Sequence, residues 1–141
     1  KIFDNLDKIY EHIHLIPPEK YNIIPLYKVS DLLLTEASST IYEMLACNKP
    51  VVVNRFFKLK LSHRIFRYRL YRKRLNQEME KDISNFCYEA KKPAELPETF
   101  MFALKNSKTE RSILKKHQEE MLYKLDGLAS ERAKKEILNR L

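Results

Sequence analysis

Residues 31–55 divide into apolar and polar blocks that predict a strand, a turn, a helix and a second strand. Residues 32–34 and 51–53 are uninterrupted runs of Leu and of Val, which is typical of strands covered on both faces. Between them, Ile41, Met44 and Leu45 recur at helical spacing. The separation of the two runs is what a parallel strand pair joined by a helix requires. We therefore expect an α/β fold with a Rossmann-like parallel sheet and flanking helices.

A cluster of hydroxyl groups lies where the predicted helix begins. Ser38, Ser39 and Thr40 follow the first strand, so their hydroxyls and the first amides of the helix face any group that docks there. A phosphate suits such a turn, and Glu43 would then lie near the ribose of a bound nucleotide. The alternative is that these residues only cap the helix, which is the commoner role of Ser and Thr at this position.

The hydrophobic pattern elsewhere predicts two further short extended segments. His12 and His14 alternate with Ile13 and Leu15, as in a strand with one polar face. Residues 82–89 predict a short strand or turn, and residues 91–97, with two prolines, predict a loop.

Residues 98–141 predict three helices, of which the last two form a C-terminal pair over 109–141. The first spans 98–106, and its core-facing residues are Phe100, Met101 and Leu104. A charged helix over 109–125 ends at Asp126-Gly127. The last helix begins near Ser130, with a core-facing stripe at Ala133, Ile137, Leu138 and Leu141.

The composition limits the classes of protein to which this chain can belong. With 141 residues and 44% hydrophobic content, residues 1–141 are expected to form one globular domain. Gly127 is the sole glycine, so a Gly-x-Gly-x-x-Gly dinucleotide loop and a P-loop are both excluded. Two cysteines, Cys47 and Cys87, without Cys-x-x-Cys spacing predict reduced core thiols rather than a zinc site. We expect no metal and no cofactor.

Positive charge is concentrated in one segment. Residues 55–74 contain nine Lys or Arg and no Asp or Glu, within a chain of net charge +8: Arg55, Lys58, Lys60, Arg64, Arg67, Arg69, Arg72, Lys73 and Arg74. Interleaved apolar residues predict a basic helical insertion over 57–81. Such a segment can lie on an anionic membrane, track a nucleic acid or remain solvated on the domain surface. Of the two binding partners, the membrane is favoured over nucleic acid. The residues expected to contact the membrane, or an acceptor, are Arg64, Arg67, Arg69 and Arg72.

Four stretches of the chain resemble CDP-glycerol glycerophosphotransferases, which make teichoic-acid-type polymers. Residues 22–27 (NIIPLY), 30–43 (SDLLLTEASSTIYE) and 49–52 (KPVV) are similar to their C-terminal nucleotide-binding half. Residues 126–132 (DGLASER) resemble an Asp-Gly-x-Ala-Ser-x-Arg stretch before their last helix. The family shares a two-domain GT-B architecture with UDP-N-acetylglucosamine 2-epimerases and GT-B glycosyltransferases. Glu36 and Ala37 stand where the family has Asp and Tyr.

The resemblance implies a nucleotide site. Ser38, Ser39 and Thr40 would hold the diphosphate of a CDP-alcohol or nucleotide sugar, and Glu43 would accept hydrogen bonds from the ribose. Glu36 belongs to the same motif, and Pro25 lies in a segment whose backbone faces the base. The family's His-Gly and His-Pro motifs do not occur in this sequence, so we expect the catalytic residues in an N-terminal half and this chain to be a fragment.

These observations predict the nucleotide-binding domain of a transferase that moves a glycerophosphate, polyol phosphate or sugar to a cell-surface polymer. The chain begins on Lys1 and has neither a secretory signal nor an apolar run that could cross a membrane, which also predicts a fragment. We expect a cytoplasmic location, with the inner face of the cell membrane as the surface that the basic segment would contact. The alternatives are a UDP-sugar 2-epimerase-like or glycosyltransferase domain and a non-catalytic basic module that binds membrane or RNA.

Overall fold

The computed structural model describes residues 6–20, 22–56, 65, 77–107 and 110–140. In chain order the helices and strands are α1 (Leu6–Ile9), α2 (Ile24–Val29), β1 (Leu33–Thr35), α3 (Thr40–Ala46), β2 (Val51–Asn54), α4 (Gln77–Phe86), β3 (Tyr88–Ala90), α5 (Leu96–Asn106), α6 (Arg111–Leu122) and α7 (Ala129–Leu138). Short 3-10 turns occupy Pro18–Lys20 and Pro93–Glu95.

The three strands form one parallel sheet in the order β1-β2-β3. Thr35 pairs with Val53 of β2, and Val53 pairs in turn with Glu89 of β3. Side chains in such a row point to the same face of the sheet. The α/β prediction is therefore confirmed: the described chain is a small open parallel sheet with flanking helices.

One face of the sheet is covered by α3, α4 and α6. Their buried side chains pack with Val51 and Val53 in a single cluster, which includes Ile41, Met44, Leu45, Ile83, Phe86 and Leu114. The predicted inward face of α3 is thus confirmed, because Ile41, Met44 and Leu45 are fully buried. The opposite face is covered by α5, where Ala103 packs against Val52 and Ala90.

Side-chain donors close the carboxyl ends of α2 and α3. Lys49 Nζ donates to the carbonyl oxygens of Tyr27, Lys28 and Ser30 at the end of α2, at 3.1, 2.6 and 2.6 Å. Gln118 Nε2 of α6 donates to two carbonyls at the end of α3. These bonds supply donors to carbonyls at the helix ends, where helical partners run out; of them, the Leu45 carbonyl also accepts from the Asn48 amide.

The prediction of a strand through His12 and His14 is wrong. Residues 12–17 adopt no regular structure, and both histidines are exposed. A strand needs a neighbour to bond with, and no described strand lies beside this segment.

The prediction for residues 82–89 is wrong in its first half. Residues 82–86 belong to α4, because Ile83 and Phe86 lie three residues apart and both enter the core. The strand is confirmed only at its end, where β3 begins at Tyr88.

The predicted inward face of α5 is right at Phe100 and wrong at Met101 and Leu104. Met101 is 70% exposed, and Leu104 is also exposed. Phe100 packs on the sheet together with Leu96 and Ala103, which share one side of the helix.

The predicted core stripe of α7 is exposed at Ala133, Ile137 and Leu138, and Leu141 lies outside the described residues. The helix is fixed by a turn at its start rather than by burial. Asp126 accepts a hydrogen bond from the Leu128 amide and two from Arg132, and Gly127 has a φ of 75°. These contacts with Arg132 and Leu128 hold the pKa of the Asp126 carboxyl below its usual value. The Asp-Gly-x-Ala-Ser-x-Arg stretch thus forms the entry to the last helix.

The predicted basic insertion over 57–81 lies outside the described residues except for Ile65 and residues 77–81, which belong to α4. Arg64, Arg67, Arg69 and Arg72 are among the residues that are not described.

Candidate functional site

The carboxyl ends of all three strands meet at one edge of the sheet, and polar side chains gather there. Thr35 ends β1, and Asn54 ends β2 with its Oδ1 accepting the Phe56 amide at 3.0 Å. Beyond β3, the amides of Lys91 and Lys92 donate to the Glu95 carboxylate. Ligands of open α/β sheets bind in the crevice outside these ends.

The turn from Thr35 to Thr40, which we call the hydroxyl turn, carries four hydroxyl groups. Thr40 Oγ1 lies 2.6 Å from Ser38 Oγ and 3.3 Å from Thr35 Oγ1. Ser39 is exposed, and Ser38 and Thr40 are half-buried. The hydroxyls of Thr35, Ser38 and Thr40 therefore form a connected group at the carboxyl end of β1.

The hydroxyl turn does not cap α3 in the ordinary way. Ser39 occupies the cap position, but its side chain makes no capping hydrogen bond, and its φ and ψ of −60° and −22° are helical. Ser38 Oγ bonds the Thr40 hydroxyl rather than a backbone amide. Within the described residues, the amides of Ser38 and Ser39 also donate to no acceptor. The turn thus presents hydroxyls and amides that helix capping does not occupy.

Four of the predicted nucleotide-binding residues lie together in this turn. They are Glu36, which is exposed, and the three consecutive residues Ser38, Ser39 and Thr40. Glu43 lies in the first turn of α3 and is also exposed.

Glu43 lies beside Tyr27 of α2. Tyr27 is only 3% exposed, and its hydroxyl makes no hydrogen bond of good geometry within the described chain. Burial first, and then the nearby Glu43 carboxylate, raise the pKa of Tyr27 to about 12. Pro25 lies in the first turn of α2, exposed. The contact between α2 and α3 is thus made by the Tyr27 ring, which belongs to the same core cluster as Ile41, Met44 and Leu45.

The predicted site omitted an ion pair at the same sheet edge. Arg55 follows β2 directly, and its Nε and Nη2 donate to Glu89 Oε1 at 3.1 and 2.8 Å. Ser84 Oγ of α4 lies 3.4 Å from the same oxygen. Sequence reasoning counted Arg55 with the basic segment, but its place directly after a buried strand is the signal that distinguishes it.

Of the two cysteines, Cys87 is a poor candidate for reactive chemistry. Both are free and half-buried. Burial, reinforced by Glu89 and opposed by Arg55, raises the pKa of the Cys87 thiol to about 12. A thiol with such a pKa stays protonated and is a poor nucleophile.

The described ranges contain no group of three or more His, Cys, Asp or Glu placed to hold a metal ion. Nor does any helix within them have the length and apolar content to cross a bilayer.

Comparison of the chain with protein-family models, with curated proteins and with solved structures found no match. The resemblance to CDP-glycerol glycerophosphotransferases therefore rests on the four sequence stretches alone.

Proposed function

We propose that this chain is the nucleotide-binding part of a transferase that uses a CDP-alcohol or a nucleotide sugar as donor. The whole enzyme would have a GT-B architecture and move a glycerophosphate, polyol phosphate or sugar to a cell-surface polymer. The chain would bind the nucleotide, while an N-terminal domain would supply the catalytic base.

The observation that carries this proposal is the hydroxyl turn. Its hydroxyls lie at the carboxyl edge of a parallel sheet, and its Ser38 and Ser39 amides lack acceptors within the described chain. Hydroxyl and amide donors at this edge suit the oxygens of a phosphate. The same turn contains the residues that resemble the nucleotide-binding motif of the transferases.

In this proposal each group has a defined task. Donors of the hydroxyl turn bind the diphosphate and stabilise the negative charge that grows on the nucleotide as it leaves. Glu43 accepts hydrogen bonds from the ribose, and the backbone near Pro25 faces the base.

Titration calorimetry of this chain with CDP, UDP and pyrophosphate at low salt tests the proposal. We expect measurable binding in the wild type and none in Ser39→Asp, because the new carboxylate repels the phosphate. Asp is a favourable residue at a helix start, so the substitution does not weaken the fold. Ser112→Asp, at an exposed position of α6, is the matched control and should bind as the wild type does. Wild-type affinity in Ser39→Asp would remove the hydroxyl turn as the phosphate site.

The donor class needs a separate comparison. CDP-glycerol should bind more tightly than UDP-N-acetylglucosamine if the chain belongs to a glycerophosphotransferase, and the reverse order would favour the epimerase or glycosyltransferase alternative. Glu43→Ala should weaken CDP more than pyrophosphate, since only CDP carries a ribose.

We also propose that the basic segment brings the enzyme to an anionic membrane surface, where a lipid-linked acceptor would lie. The sequence supports this, because residues 55–74 combine nine cations with interleaved apolar residues and lack acids. Each Lys or Arg near such a surface adds about 1 kcal/mol of attraction. Sedimentation with anionic vesicles, neutral vesicles and RNA at matched salt tests it. Binding to anionic vesicles alone is expected; binding to RNA alone would favour the basic nucleic-acid module.

A further inference from the structure

The Arg55–Glu89 pair is a charged group at the carboxyl edge that the proposed function leaves unused. Its two hydrogen bonds join the residue after β2 to the middle of β3, and the side chains of Arg55 and Glu89 are only 20% and 26% exposed. The guanidinium is thus held in one orientation, with part of its surface open to solvent.

The strand register places this pair close to the hydroxyl turn. Thr35 lies beside Val53, and Arg55 comes two residues after Val53, just past the end of β2. Its amide donates to the Ala90 carbonyl of β3 at 2.8 Å, so the chain continues in the direction of the strand. Strand spacing and rise put the Cα atoms of Thr35 and Arg55 about 8 Å apart. Glu89 shares the row of Thr35 and Val53. The hydroxyl turn and the pair therefore lie on one face of the sheet at one edge.

We propose that Arg55 is a second phosphate-binding residue of this site and that Glu89 is its positioning residue. The inference rests on the proposed function and divides the work of binding the diphosphate between two neighbouring strands. One phosphate lies on the hydroxyl turn, and the other reaches the guanidinium on the neighbouring strand. An arginine fork suits phosphate oxygens in both geometry and charge.

Glu89 makes the inference testable, because its two effects have opposite signs. Its carboxylate orients Arg55 by hydrogen bonding, but its negative charge repels an incoming diphosphate. In Glu89→Gln the side-chain oxygen still accepts from Arg55 while the charge is removed. If the guanidinium faces the ligand, this variant binds diphosphate more tightly, by about three- to tenfold. A pair with a purely structural role gives no such gain.

The test is calorimetric titration of the chain with pyrophosphate, CDP and CMP, using wild type, Arg55→Gln and Glu89→Gln. Arg55→Gln should weaken pyrophosphate and CDP by about tenfold or more and CMP by much less. Glu89→Gln should strengthen CDP and pyrophosphate. Circular dichroism melting verifies that each variant folds. If Arg55→Gln does not fold, the affinity of Glu89→Gln for diphosphate decides the question alone.

The outcomes separate this inference from the function on which it rests. If Arg55→Gln and Glu89→Gln both bind pyrophosphate as the wild type does while Ser39→Asp loses it, Arg55 is not a ligand and the hydroxyl turn remains the site. Equal losses for CDP and CMP in Arg55→Gln, or weaker diphosphate binding in Glu89→Gln, also overturn the inference. If the wild type binds none of the three probes, the proposed function itself fails.

Discussion

Replacing Lys49 by Met should destabilise the fold, because one ammonium group joins the end of α2 to the segment before β2. Its Nζ donates to three carbonyl oxygens of residues 27–30. Methionine keeps the apolar stem and has no donor. The carbonyls of Tyr27 and Ser30, whose bonds are partly buried, then lose their partner, whereas the exposed Lys28 carbonyl can bind water.

The magnitude follows from the two partly buried carbonyls. Each unsatisfied acceptor costs about 1 kcal/mol or more, so we expect a loss of about 2 kcal/mol in the free energy of unfolding. For a chain of this length that corresponds to a melting temperature about 6–10 °C lower.

Urea unfolding and thermal melting, both followed by circular dichroism, measure the effect. Lys81→Met is the matched control, since Lys81 is exposed on α4 and no ion pair is found for it within the described ranges. Surface changes of that kind stay within about 0.5 kcal/mol. If Lys49→Met is no less stable than Lys81→Met, the proposed closure of α2 by Lys49 is refuted.

Three further predictions concern other contacts. Tyr27→Phe should be at least as stable as the wild type at pH 7, since it removes a buried hydroxyl without a well-formed hydrogen bond. Burial raises the pKa of Tyr27 and of Cys87 to about 12, so the stability that these two protonated groups contribute is complete below pH 9 and is lost as pH rises from 9 to 12; in urea titrations this alkaline loss should be smaller in Tyr27→Phe. Gln118→Leu should lower the free energy of unfolding by about 1 kcal/mol through the freed Ala46 carbonyl, since the Leu45 carbonyl still accepts from the Asn48 amide; an unchanged urea midpoint would contradict this. Asp126→Asn should speed amide hydrogen exchange at the start of α7, because its bonds with Arg132 weaken; equal exchange in variant and wild type would show that the turn does not hold the helix.

The central βαβ unit could be predicted from the sequence because its signals are local. Residues 32–34 and 51–53 are unbroken apolar runs, and Ile41, Met44 and Leu45 recur at helical spacing. The hydroxyl turn could be located for the same reason, since it lies between a strand and a helix that are both identifiable.

The helix faces that failed depend on tertiary contacts. In α5 the apolar residues surround most of the helix, so the pattern cannot tell whether Met101 or Ala103 meets the sheet; the structure buries Ala103. In α7 the apolar residues do lie on one side of the helix, but the sequence pattern cannot tell whether another element covers that side; in the structure Ala133, Ile137 and Leu138 are exposed.

The Arg55–Glu89 pair could not be predicted either. Its partners lie 34 residues apart in sequence, and only the order of the strands brings them to neighbouring positions. The N-cap role of the serines is the reverse case. A common local rule predicts it, but Ser39 makes no capping hydrogen bond and Ser38 bonds the Thr40 hydroxyl.

The most direct test of the nucleotide site is a titration of the isotope-labelled chain with CDP, followed by amide NMR. The amides of residues 36–41, together with those that follow β2, should shift progressively and saturate at one equivalent of bound nucleotide. Amides of the exposed helix α7 should stay unchanged. Shifts confined to regions away from the carboxyl edge of the sheet, or none at millimolar CDP, would contradict the account.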